Sequence, residues 1–88
     1  MIDEERAEQI GRRCLREGAE EASVDRAGLV VTVVFRGLRR PGGEPGSIWA
    51  TVTITEALAE DVGECARYVM TKAKEKRDYL LRSGKDHV

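Results

Sequence analysis

Residues 28–37, Gly-Leu-Val-Val-Thr-Val-Val-Phe-Arg-Gly, constrain this chain more than any other segment. Branching at Cβ stiffens a side chain and crowds a helix, whereas a pleated strand accommodates it, and a glycine punctuates each end of the run. A strand is predicted there. A second is predicted over 47–54, Ser-Ile-Trp-Ala-Thr-Val-Thr-Ile, where the side chains alternate strictly. Ile48, Ala50, Val52 and Ile54 fall on one face, and Trp49, Thr51 and Thr53 on the other. Between the strands, residues 38–46 read Leu-Arg-Arg-Pro-Gly-Gly-Glu-Pro-Gly, a loop by composition. The simplest arrangement is an antiparallel hairpin with a long tip. Two strands alone are marginal in water, so something must cover one face.

Two helices supply that cover. Over residues 3–22, Ala7, Ile10, Gly11, Cys14, Leu15, Gly18 and Ala22 share one side. Glu5, Gln9, Arg12, Arg13, Arg16 and Glu20 occupy the other. Asp3 is placed to cap this helix, and Glu4 and Glu5 suit its positive end. Its small-residue stripe predicts close approach to another backbone. A second helix is predicted over 55–81, capped by Thr55, acidic at its start and basic toward its end. Leu58, Val62, Cys65, Ala66, Val69, Ala73 and Leu80 make its narrow apolar stripe. Gly84 suits the position after its C-terminus, and residues 84–88 are read as a frayed tail. The chain is therefore read as one α+β domain over 1–88, ordered α-β-β-α, with the hairpin packed against two helices. At 1.5 Å per residue the second helix runs about 40 Å, against about 27 Å for an eight-residue strand. It should overhang the hairpin, and Lys76, interrupting the stripe, is read as marking where intrachain cover ends.

Composition removes several classes of function. Eighty-eight residues allow one domain, and a net charge of −1 does not suit a non-specific nucleic-acid coat protein. The longest apolar run, 29–35, is interrupted by Thr32 and falls far short of the roughly 20 residues that span a bilayer. The opening Met-Ile-Asp-Glu-Glu has neither a basic nor an apolar region of a secretory signal. Two cysteines in such a chain suggest reduced thiols and a cytoplasmic location. Cys14 and Cys65 lie on apolar stripes and are read as free core thiols. The lone histidine, His87, sits near the chain end, where nothing holds a general base in place. No glycine-rich phosphate loop carries a lysine, and no cluster of His and Cys has metal-ligand spacing. Glu56, Glu60, Asp61 and Glu64 form an acidic ridge that the helix dipole explains. The chain is expected to be non-enzymatic, with no cofactor.

Charge segregation is the remaining signal. Residues 1–25 carry −4, 26–47 carry +3, 48–64 carry −4 and 65–88 carry +4. Arg36, Arg39 and Arg40 at the hairpin tip, with Lys72, Lys76 and Arg77 toward the end of the second helix, are the candidate partner-binding residues. The sheet face away from the helices, Val30, Thr32, Val34, Trp49, Thr51 and Thr53, is the candidate dimer interface, because it carries the only tryptophan and both strands are edges. Homodimerisation is expected through the sheet or through the long C-terminal helix. The function these features suggest is that of a small protein-interaction protein, of inhibitor or adaptor type, binding a larger macromolecule through charged patches. Small proteins that phages and other mobile elements direct against host complexes share this profile. The alternative is a nucleic-acid-binding protein using the arginine-rich tip and the basic helix end. A protein partner is favoured, because the −4 segments repel a polyanion.

Overall fold

The computed structural model of the chain describes residues 1–39 and 45–83. Its first element, α1, spans Glu4–Arg16 and is capped by Asp3, whose carboxylate accepts from the Arg6 backbone N–H at 2.7 Å. The helix stops because Gly18 takes φ 119°. Ala19 N–H then reaches the Cys14 carbonyl and Gly18 N–H the Leu15 carbonyl, at 3.1 and 3.2 Å, which closes the last turn in a Schellman motif. The predicted helix 3–22 is thus corrected at its end: residues Glu21–Asp25 form a strand, β1. Ala22 and Val24 face inward in it while Glu21, Ser23 and Asp25 face water, an alternation of period two.

Strand β2 spans Val30–Arg39 and β3 spans Pro45–Thr53. The sheet is antiparallel and three-stranded, in the order β1-β2-β3, rather than a two-stranded hairpin. Asp25 closes the β1–β2 turn by accepting from the N–H groups of Ala27 and Gly28 at 3.1 and 3.0 Å. Gly28 is needed there, since a Cβ would lie 2.6 Å from an Asp25 carboxylate oxygen. The predicted 38–46 loop is shorter than its composition suggests, because Leu38 pairs with Gly46 and Arg39 with Pro45. A register shift after Phe35 accommodates Gly37 at φ 67°.

Thr55 caps a short helix, α2, over Glu56–Ala59, accepting from Leu58 N–H at 3.1 Å. The predicted helix 55–81 is broken here. Asp61 accepts from Glu64 N–H at 3.0 Å and starts a separate helix, α3, over Val62–Ser83. A short acidic side chain that bonds the backbone two or three residues on competes with helix continuation, so Asp61 ends one helix and begins the next. The predicted tail 84–88 lies outside the described residues.

The core fills the layer between the sheet and the helices. Val31, Val33, Phe35, Ala50 and Val52 meet Ile10 and Cys14 of α1 and Cys65, Ala66, Val69 and Ala73 of α3. Helix α1 packs on β1 and α3, and α3 packs on α1 and, within the sheet, mainly on β3. Small side chains, Ala7 and Cys14 of α1 and Cys65, Ala66 and Ala73 of α3, occupy these contacts, whereas Leu15 of the predicted stripe is 44% exposed and Gly18 lies beyond the helix end. The apolar stripe of α3 stays covered to Leu80, which is 1% exposed, so intrachain cover does not end at Lys76.

Candidate interaction surface

The backbone bonds fix which way each strand residue points. The Val34 carbonyl accepts from Glu20 N–H, so the even residues of β2 turn toward β1, and the Leu29 carbonyl accepts from Ile54 N–H, so the odd ones turn toward β3. Both bonds are 2.8 Å. In β3, therefore, Trp49, Thr51 and Thr53 direct their backbone groups to the free edge. Their side chains lie on the sheet face opposite the core, paired across β2 as Val34 with Trp49, Thr32 with Thr51 and Val30 with Thr53. The six residues predicted to share an outer face are thus brought together. Trp49 is 58% exposed, whereas Val34 beside it is only 9% exposed. Arg36 reaches across the same face to pair with Glu21. Both partners are more than half exposed, so the pair organises the surface more than it stabilises the fold.

The cations predicted to bind a partner separate into different roles. Lys76 donates to the Thr51 carbonyl, one of the outward-facing groups of β3. Arg77 lies 5.0 Å from the centroid of the Phe35 ring and bonds Asp78 at 3.1 Å. Both tie α3 to its surroundings, Lys76 by closing a point on the β3 edge and Arg77 by stacking on a core aromatic. Lys72 is exposed and sits 5.9 Å from the Tyr68 ring centroid, on the helix surface. Arg40 and the side chain of Arg39 lie outside the described residues.

A second basic group was hidden by segment charge. Arg12, Arg13 and Arg16 project from α1 and, with Gln9 and Val62, line a groove of about 230 Å³. Their spacing in the sequence carries the signal, but the acidic first turn of the same helix cancels them in any sum over 1–25.

Core chemistry is quiet. Cys14 and Cys65 are free thiols buried between α1 and α3. Burial, reinforced by Cys65 and Glu17, pushes the Cys14 thiol up to about 11, and burial raises Cys65 as well. Thiols held protonated in this way are packing groups at neutral pH. Among the described residues no group of three or more His, Cys, Asp or Glu side chains is placed to hold a metal ion, and no helix is long and apolar enough to cross a membrane. Comparison of the chain with protein-family models, with curated proteins and with solved structures finds no match.

Proposed function

We propose that this chain is a small protein-interaction protein of inhibitor or adaptor type, acting by occupancy in the cytoplasm, and that it docks on a protein partner through the outer sheet face around Trp49. The observation that carries this reading is the exposure of Trp49, 58%, on the sheet face opposite the core. Covering a tryptophan removes about 150–250 Å² from water, so at 25 cal/mol/Å² the exposed share withholds roughly 2–4 kcal/mol that a partner recovers. Val34 and the Arg36–Glu21 pair flank it. A large aromatic beside a small apolar residue and a ready-made ion pair is the composition of a binding hot spot with a polar rim. Engagement of Lys76 and Arg77 within the fold takes two of the helix-end cations away from phosphates, which supports a protein partner over nucleic acid at that end of α3.

The test is affinity capture from a native lysate treated with nuclease, comparing the wild type with Trp49→Ala. The expected result is a protein retained by the wild type and lost with the variant. The purified partner should then shift and quench Trp49 fluorescence on titration. Capture indifferent to Trp49→Ala, or recovery only of nucleic acid that nuclease abolishes, overturns the reading.

A further inference from the structure

Strand β1 is the other edge of the sheet, and it is guarded differently from β3. Its residues Glu21, Ser23 and Asp25 pair with β2, so Ala22 and Val24 direct their N–H and C=O groups outward. The far end of this edge is closed, because the Arg26 carbonyl accepts from Ile2 N–H at 3.3 Å. Lys76 donates to the Thr51 carbonyl at the β3 edge, whereas at β1 the neighbouring cations Arg12 and Arg26 line the groove beside Ala22 and Val24. Beside it runs a groove of about 360 Å³ between α1 and β1, lined by Gly11, Leu15, Ala22 and Val24, with Glu8 and Arg12 among its charged residues. Leu15 is 44% exposed, and Gly11 lies over the Ala22 carbonyl with no side chain to shield it.

We propose that a second copy of this chain fills this groove, forming a two-fold dimer through paired β1 edges. Three features select a second copy. An antiparallel pairing centred on Ser23 sets Ala22 opposite Val24 of the other copy, and both are outward-directed residues, so each of the two equivalent pairs exchanges two hydrogen bonds. The same axis lays the two α1 helices antiparallel. On the side that lines this groove, α1 carries Glu4 and Glu8 toward its start and Arg12 toward its end, with Glu8 and Arg12 3.9 Å apart within the helix. Antiparallel copies therefore set Glu8 of one beside Arg12 of the other on the helical side, while Glu21 of one faces Asp25 of the other across the paired strands. Finally, Leu15, which lines the groove and is 44% exposed, is covered when the second copy is seated there. The product is a continuous six-stranded sheet whose two Trp49 faces lie on one side, a bivalent form of the surface described above. The dimer does not depend on that surface having a partner.

Sedimentation velocity on the full chain across the micromolar range tests this. The wild type should show twice the chain mass. Leu15→Lys, at an exposed position, and Val24→Pro, which deletes an N–H outside the β1–β2 ladder, should both give the single-chain mass while keeping the far-ultraviolet circular dichroism of the wild type. Glu8→Arg and Arg12→Glu should each be monomeric alone, yet dimerise when mixed, because only the mixture restores complementary helices. Trp49→Ala should leave the mass unchanged. A monomeric wild type, a dimer insensitive to Leu15→Lys, a failure of the mixed variants to associate, or a dimer dissolved by Trp49→Ala overturns the proposal.

Discussion

Alkaline pH should weaken this fold through Cys14 in a way that can be isolated. In the unfolded chain the thiol ionises near its ordinary value of 9.0, whereas in the core it holds its proton to about 11. Between those values the unfolded state gains free energy by ionising and the folded state does not. The stability associated with the thiol is thus fully present below pH 9 and is lost as pH rises toward about 11. Two pKa units at 1.36 kcal/mol each set the full loss at roughly 2–3 kcal/mol, and by pH 10.5 roughly 2 kcal/mol of it is realised. That is a large fraction of what a small domain possesses. Urea unfolding of the wild type and of Cys14→Ala at pH 8 and pH 10.5 measures it. The lysines and tyrosines that titrate in this range are common to both proteins, so they cancel in the difference. Loss of packing lowers the variant by about 1–2 kcal/mol at both pH values, which also cancels. The wild type should lose roughly 2 kcal/mol more than the variant over this interval. Equal losses, or rapid labelling of Cys14 by a thiol reagent in the native protein at pH 8, would refute the burial argument.

Other substitutions probe the joints of the fold. Gly18→Ala should lower stability by about 1–2 kcal/mol in urea, through backbone strain alone, because the new Cβ meets only a Lys74 side-chain carbon at 3.9 Å; an unchanged midpoint would show that the end of α1 does not require glycine. Asp61→Ala should cost about 1 kcal/mol by removing the α3 cap, and Asp61→Asn should restore most of it. Lys76→Met should change stability by less than about 0.5 kcal/mol, as an exposed contact does, yet increase light scattering on concentrated incubation because it uncovers the β3 edge at Thr51. Scattering equal to the wild type would mean that another group protects that edge.

Those joints are also where reading the chain stops short. The segment Glu-Ala-Ser-Val-Asp at 21–25 has the composition of a helix tail, with one β-branched residue among five. It becomes a strand because Gly18 reverses the chain beside an unpaired β2 edge and α1 covers Ala22 and Val24. Strand propensity is weak and depends on which surface a residue meets, so no local pattern discloses such a strand. The groove between α1 and β1 was invisible for the same reason. At Asp61, a capping side chain and a continuing apolar stripe point to opposite outcomes, and the local hydrogen bond prevails.

What the sequence determined by itself is what depends on period and on nearest neighbours. Strict alternation over 47–54 and the β-branched run over 28–37 placed the two long strands and sorted Val31, Val33, Phe35, Ile48, Ala50 and Val52 from Val34 and Trp49. Turning any strand residue over would move a whole row of side chains between core and water. Asp3 and Thr55 as caps, and Cys14 and Cys65 as core thiols, follow from equally local chemistry. Tertiary structure alone decided which long side chains serve the fold and which face solvent. Lysine and arginine reach far from their backbone, so their partners are set by what the fold brings near: the Thr51 carbonyl for Lys76, the Phe35 ring for Arg77, Glu21 for Arg36.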